Sequence, residues 1–225
     1  EPDTTIGGAH DVRPMVEATL RGVTLPPPEL LDIRDTVTAA HNLRRKLTRL
    51  REPYPHVADI ARRIERCPDV IAQVDRCIDQ RANVRDDASA DLTRIRREMG
   101  LSQDRLQHKL QTIISSSQNA KYLQEALITQ REGRYVIPLK AAFKGRIQGI
   151  VHDVSASGAT LFIEPEPLVE KNNALVELQG RVFQAIRKVL RALTEELRGE
   201  IDHLIGLESY LARLDGYYAR ARYGN

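Results

Sequence analysis

Apolar residues in the first part of the chain recur at three- and four-residue steps, the spacing of one face of an α-helix. The clearest series follows Leu25-Pro26-Pro27-Pro28, and its members are Leu30, Ile33, Val37, Ala40, Leu43 and Leu47. Glu52-Pro53-Tyr54-Pro55 and Cys67-Pro68 interrupt the pattern, because proline favours helix starts and stops. Residues 1–90 are therefore predicted to form a helical core region, in which residues 1–12 are a loop.

Two longer apolar stripes follow and predict two long helical segments. The stripe over residues 91–127 is marked by Leu92, Ile95, Met99, Leu106, Leu110, Ile113, Leu123 and Leu127. A helix of roughly 36 residues would be about 54 Å long. Bends are expected at Gly100 and Ser115-Ser116-Ser117, which are weak helix formers. The stripe over residues 166–225 repeats at nearly heptad spacing from Leu175 to Leu214. We expect an antiparallel pair, an ascending helix and returning helices, that bury their stripes against each other and against the earlier helices.

Between the two stripes the period changes, and residues 128–165 read as a small β-unit. Three β-rich runs are separated by turn residues, among which Ser155-Ala156-Ser157-Gly158 is typical of a hairpin loop. Pro138 favours an edge position or a bulge, because proline donates no ladder hydrogen bond. We expect a three- or four-stranded antiparallel meander. The predicted fold class is mainly α with a small β insertion (α+β).

The composition indicates the cellular compartment of the protein but says little about its function. Charged residues make up 29% of the chain and aromatic residues 4%, which fits long solvated helices. Cys67 and Cys77 form no C-x-x-C pair and no disulfide framework, so a reduced, cytoplasmic protein is expected. Residues 1–8 lack the pattern of a signal peptide, and no apolar run approaches the roughly 20 residues of a membrane span. We expect the chain to be a fragment of a longer protein, with no membrane contact.

The β-unit holds the strongest concentration of positive charge. Between residues 121 and 148 two acidic residues oppose six basic ones, which are Lys121, Arg131, Arg134, Lys140, Lys144 and Arg146. The local balance of +4 exceeds the +3 of the whole chain. Such charges on a small sheet suit contacts with nucleic-acid phosphates, which set register without reading sequence. Alternatively, lysines on edge strands only discourage aggregation.

Other candidate chemistry is weaker. A second basic cluster contains Arg44, Arg45, Lys46, Arg49 and Arg51, and the neighbouring leucines favour its interpretation as a solvated helix face. The six histidines are dispersed, so no metal site is expected. The chain has no Gly-Lys dipeptide for a phosphate loop, no Gly-x-Ser-x-Gly and no His-Glu-x-x-His. We expect no catalytic residue and no cofactor in this chain.

The stretch GRYVIPLKAAFKGRIQGIVHDVSASGATLFIEPEPLVEKNN, residues 133–173, resembles the second bacterial lineage of the MutS family (MutS-two) at the junction of its clamp and lever. GGAHDVRPMVEATLRGVTLPPPELLDI, residues 7–33, is similar to the start of that family's core region. The resemblance implies a helical core, lever helices and a β-rich clamp, here at residues 1–90, 91–127 with 166–225, and 128–165. It also implies a parent protein with a dimeric ATPase that uses ATP and Mg²⁺ and usually an Smr nuclease domain. Neither of those signatures occurs in this chain.

The resemblance leaves three functions open. The first is sequence-independent binding of branched or duplex DNA in recombination control or DNA repair, with Arg134, Lys140, Lys144 and Arg146 as the foremost contacts. The second is an arm that engages the ribosome and its RNA when collided ribosomes are split. The third is a structural dimerisation module built on the helical seam. A basic protruding tip suits the first two equally, so the sequence does not separate them.

Overall fold

The computed structural model describes residues 7–223, and the first six residues of the predicted N-terminal loop lie outside this range. The described chain forms eight α-helices and one four-stranded antiparallel sheet, which confirms the predicted fold class. It divides into two compact units. The first unit combines Glu1–Ser89 with Ile186–Asn225, and the second unit is Ala90–Ala185. Within residues 7–223 no helix has both the length and the apolar character required to cross a bilayer.

The first unit is helical, and prolines define where its early helices begin. Its helices are α1 (Arg13–Leu20), α2 (Pro27–Arg49), α3 (Pro55–Arg62), α4 (Pro68–Cys77) and α8 (Ile201–Tyr223), together with the end of α7 (Val169–Gly199). A proline stands in the first turn of α1 to α4, where its missing N–H has no partner to lose. The apolar series predicted for α2 is buried throughout. Helix α8 contacts α1, α2 and α3, so part of the returning stripe is buried there.

The second unit begins with α5 (Ala90–Ile114), which corrects the predicted ascending helix over residues 91–127. The helix ends at Ile114 because Ser116 adopts an extended backbone and the Asn119 side-chain amide donates to the Ile113 carbonyl, at 3.0 Å. A single turn, α6 (Ser117–Ala120), follows. Leu123 is buried as predicted, but it lies in extended chain that bridges to Leu139 instead of on a helix face.

The sheet contains β1 (Thr129–Arg131), β2 (Arg134–Lys140), β3 (Gly149–Val154) and β4 (Thr160–Pro165). Their order is β1-β2-β4-β3. The predicted meander is therefore wrong, because it would place β3 beside β2, where the structure has β4. The buried strand β4 takes the inner place beside β2, and the largely exposed β3 lies at the edge. The hairpin loop predicted at residues 155–158 is confirmed: the Ser155 N–H donates to the Thr160 carbonyl at 2.9 Å, and Gly158 has a positive φ.

Pro138 lies in β2, an inner strand, so the predicted edge position is wrong. Strand β1 pairs only with residues 134–136, and its place beside Pro138 is taken by irregular chain. There the Gln124 N–H donates to the Pro138 carbonyl at 2.9 Å. Because the nitrogen and the carbonyl of one strand residue point to the same side, the proline nitrogen also faces this irregular chain and not β4. The missing N–H therefore removes no hydrogen bond from the β2–β4 ladder. The irregularity that the sheet does contain is in β3, between Val151 and Asp153.

The core of the second unit joins the sheet to both flanking helices. Leu106, Leu110 and Ile114 of α5 lie in one buried cluster with Ile137, Leu139 and Ile163 of the sheet and with Leu175 of α7. Farther along the pair, Glu98 of α5 lies 3.7 Å from Arg181 of α7, so the two helices run antiparallel. The part of the α5 stripe from Leu106 to Ile114 is thus buried against the sheet as well as against the returning helix, and the prediction had not included the sheet.

Candidate nucleic-acid interface

The six basic residues predicted as contacts divide into two groups according to their partners. Arg131 and Arg134 form ion pairs inside the sheet. The other four, Lys121, Lys140, Lys144 and Arg146, have no carboxylate within ion-pair distance in the part of the chain that the structure describes. These four residues are called the basic rim below.

Arg134 neutralises a buried carboxylate. Its guanidinium lies 2.9 and 3.2 Å from the two oxygens of Glu164, whose side chain has no exposed surface, and donates to the Asn173 amide oxygen at 2.6 Å. On the other side, His152 Nε2 lies 2.6 Å from Glu164 Oε2. A buried carboxylate is costly unless its charge and lone pairs are matched. Glu164 and His152 were not predicted from the sequence, where the only signal was one acidic residue in the apolar run of β4.

Arg131 is fixed on one face of the sheet. Its Nε atom lies 2.8 Å from Asp153 Oδ2 in β3, and its guanidinium carbon lies 3.9 Å from the ring centroid of Phe162 in β4. It also donates to the Gln130 carbonyl at 2.8 Å. These contacts engage Nε and Nη1 of Arg131, and a phosphate would have to compete for those donors.

The basic rim is brought together by two segments that are separate in the sequence. Lys140 Nζ donates to the Lys121 carbonyl at 3.3 Å, which ties the end of β2 to the chain that follows α6. The rings of Tyr122 and Phe143 pack with centroids 5.2 Å apart, so Lys121 and Lys144, their sequence neighbours, come to the same region.

The turn that carries Lys144 and Arg146 has a defined backbone. It follows a 3-10 helix at Ala141–Phe143, and the Arg146 N–H donates to the Phe143 carbonyl at 3.0 Å. Gly145 adopts a φ of +85°, a conformation that residues with a Cβ rarely adopt. Lys121, Lys144 and Arg146 are exposed, and Lys140 is half-buried. Exposed cations beside aromatic rings are the combination that binds nucleic-acid backbones and bases.

The sheet is fastened to α5 and α7 by polar contacts that involve Tyr135. The Asn172 amide of α7 accepts from the Tyr135 N–H at 3.0 Å and donates to the Tyr135 carbonyl at 3.1 Å, so it satisfies both backbone polar groups of this buried residue. The Tyr135 hydroxyl accepts hydrogen bonds from Gln103 and Gln107 of α5. Because these contacts join the first residues of β2 to both helices, the orientation of the strand is fixed.

In the first unit, His203 lies between two carboxylates. Its Nδ1 atom is 2.7 Å from Glu200 and its Nε2 atom is 2.8 Å from Glu65, and these acceptors raise its pKa. The Cys67 sulfur lies within 4.8 Å of the Glu200 and His203 donor atoms. Burial, aided by Glu200 and Glu65, raises the pKa of the Cys67 thiol to about 11. In this cluster the buried Cys67 thiol lies beside a histidine that is paired with carboxylates. There was no signal of it in the sequence, because its residues are far apart in the chain.

Comparison with known proteins identifies relatives of the chain. Endonuclease MutS2 of Geobacillus sp. (strain WCH70) is 43% identical over 175 residues, which are 76% of this chain and 22% of that protein. Endonuclease MutS2 of Symbiobacterium thermophilum is 42% identical over 173 residues, 77% of this chain and 22% of the relative. The protein of the same name from Thermomicrobium roseum is 40% identical over 181 residues, 79% and 23% of the two chains. No protein-family model matches the chain. The chain thus spans less than a quarter of the length of these relatives.

Proposed function

This chain belongs to the MutS2 family, and we propose that it acts as the core, lever and clamp part of a MutS-type, DNA-binding ATPase. In this proposal the chain itself catalyses nothing. The ATPase, which uses ATP and Mg²⁺, and the endonuclease named in its relatives belong to other parts of the full-length protein. That protein works as a cytoplasmic homodimer in recombination control or DNA repair.

The observation that carries the proposal is the set of four unpaired cations on the basic rim. Their charge is not offset by neighbouring carboxylates, so phosphate oxygens can bind without first displacing an internal ion pair. Contacts to phosphates release counterions and are independent of base sequence. The rim is therefore suited to hold the backbone of branched or duplex DNA. In this proposal Arg131 and Arg134 act indirectly, because they hold the sheet that presents the rim.

The test is the binding of the 225-residue chain to a labelled four-way junction, measured by fluorescence anisotropy. The parent is expected to bind with a dissociation constant of roughly 10⁻⁴–10⁻⁶ M at physiological salt. Reversing three rim charges, with Lys140→Glu, Lys144→Glu and Arg146→Glu combined, should abolish most of this affinity. The plot of log affinity against log salt should also become shallower, with the magnitude of its negative slope smaller by about 2.7, which is roughly 0.9 for each lost contact.

A matched control removes the effect of overall charge. Arg97, Arg105 and Lys109 are exposed on α5 in the same unit, and reversing all three changes the net charge by the same amount. This control variant should retain most of the affinity, and circular dichroism should show that both variants keep the parent's helix content. Equal binding by the rim variant and the control variant would refute the clamp assignment.

The basic rim is suited to phosphate contacts but does not distinguish DNA from RNA, so ribosomal RNA is the alternative target. An arm that engages collided ribosomes would need the same cations. Co-sedimentation of the chain with stalled disomes, with and without excess junction DNA, separates the two. Loss of co-sedimentation in the rim variant together with resistance to DNA competitor would favour the ribosome. Light scattering tests the remaining alternative, since a monomer at high concentration would argue against a dimerisation module.

A further inference from the structure

The first unit contains a cleft lined by arginines of α2, of the end of α3 and of the loop that follows α3. Its volume is about 870 Å³, and His41, Asn42, Thr48 and Pro68 complete its wall. The five arginines are Arg44, Arg45, Arg49, Arg62 and Arg66. None of the lining residues is acidic. The residues of α2 that face the cleft recur at three- and four-residue steps, so one face of the helix contributes all of them.

The positive charge of this arginine cleft is poorly compensated. Arg62 lies 3.6 Å from Asp59, and Arg45 Nη2 donates to the Asn42 amide oxygen at 3.4 Å. Arg44, Arg49 and Arg66 form no ion pair within residues 7–223. Like charges around a concave surface repel one another and focus a field that attracts anions.

His41 lies in the wall of the same cleft. Burial lowers its pKa first, and the positive charges of Arg66 and Arg44 lower it further. Its Nε2 atom lies 3.4 Å from the backbone nitrogen of Cys67, where it accepts the N–H as the neutral ring. The cleft therefore contains a histidine that is kept neutral among fixed positive charges. That arrangement suits the binding of an anion.

The cleft also divides the basic cluster of α2, which the sequence analysis interpreted as a solvated helix face. Lys46 and Arg51 do not line the cleft, in keeping with that interpretation. Arg44, Arg45 and Arg49 instead face Arg62 and Arg66 across the cleft. A merely solvated face does not require arginines of another segment to converge on the same concavity.

We propose that the arginine cleft binds a run of phosphate groups, on a nucleic-acid backbone or on a free nucleotide. The guanidinium fork donates two parallel hydrogen bonds to a phosphate, and arginine cannot lose its charge in a protein. Five such groups exceed what one phosphate can use. The volume is within the range of about 300–1,000 Å³ that is typical of small-ligand sites. The cleft lies in the first unit and shares no residue with the basic rim, so this inference does not depend on the proposed clamp function.

The experiment measures binding of pyrophosphate and ATP by calorimetry, and of fluorescent single-stranded and duplex oligonucleotides by anisotropy. The double variant Arg44→Ala/Arg66→Ala removes two cleft cations. The control Lys46→Ala/Arg51→Ala removes the same charge from positions beside the cleft. We expect the cleft variant to bind the preferred probe at least about tenfold more weakly, because it loses the charge-assisted hydrogen bonds of two guanidinium groups. The control should lose less than about threefold.

Further variants separate folding and clamp effects from cleft binding. Arg44→Lys/Arg66→Lys keeps the charges but removes the bidentate forks, so it should fold like the parent and show an intermediate loss. The triple rim variant should bind pyrophosphate and ATP like the parent, even if it no longer binds a junction. Cleft-dependent binding of pyrophosphate and ATP alone identifies a free nucleotide, and cleft-dependent binding of oligonucleotides alone identifies a nucleic-acid backbone. Equal binding by the cleft and control variants, or no saturable binding of any probe, would overturn the proposal.

Discussion

Replacing Arg134 by Met would leave the carboxylate of Glu164 buried without its main cationic partner. The Glu164 side chain has no exposed surface, and two Arg134–Glu164 contacts of 2.9 and 3.2 Å would be lost. Removing one partner of a buried ion pair costs about 3–5 kcal/mol. Because a quarter of the Arg134 side chain is exposed and His152 still reaches Glu164, we expect the lower end, about 3 kcal/mol.

The second variant in this test is Arg134→Met combined with Glu164→Gln. Glutamine keeps the shape of Glu164 and an oxygen for His152, but it carries no charge that needs compensation. The double variant should therefore be more stable than Arg134→Met alone by about 1–3 kcal/mol. This rescue distinguishes charge neutralisation from the loss of packing by the long arginine side chain, which both variants share.

Hydrogen exchange followed by mass spectrometry is the suitable assay, because it reports the two units separately. Peptides from β2 and β4 should lose protection in Arg134→Met and regain it in the double variant. Peptides from α2, in the other unit, serve as an internal control and should exchange as in the parent. The reasoning would be refuted if Arg134→Met cost less than about 1 kcal/mol, or if the double variant were no more stable than Arg134→Met.

Three further predictions concern glycines, thiols and pH. Gly149→Ala should destabilise the β3–β4 pair by about 2 kcal/mol or more, since the new Cβ would lie 2.2 Å from the Glu164 carbonyl oxygen. Gly180→Ala, at an exposed position of α7, should stabilise the chain by about 0.5–1 kcal/mol. Urea unfolding measures both variants, and equal effects would contradict the geometry. Cys67 and Cys77 are buried and burial raises the pKa of both thiols, so a thiol reagent should label them only on unfolding; rapid labelling of the native chain would show otherwise. Glu200 raises the pKa of His203, so the contribution of the protonated His203 to stability is complete below about pH 6.5 and is lost as the pH rises through the folded pKa. The free energy of unfolding of His203→Gln should lack this pH dependence.

Several features were predictable because their causes are local. The burial of the α2 series follows from helical periodicity, and the starts of α2 and α3 follow from prolines whose φ already suits a first turn. The loop at residues 155–158 follows from turn residues beside β-rich runs. The excess of positive charge between residues 121 and 148 is likewise a property of the sequence.

The roles of individual basic residues were decided by distant partners. Arg134 and Lys144 are equivalent in a count of charges, yet Arg134 meets Glu164 thirty positions away and Lys144 meets no carboxylate among the described residues. The arginine cleft requires α2 and the end of α3 to approach each other, and helical periodicity alone does not specify that approach.

The sequence by itself determined that the chain is mainly helical with a small β insertion, and where positive charge accumulates. Only the tertiary structure decided that β4 instead of β3 pairs with β2, and which cations remain available to a ligand. The reason is that helix and turn formation depend on neighbours within a few residues. Strand order and charge pairing depend instead on contacts between residues far apart in the chain.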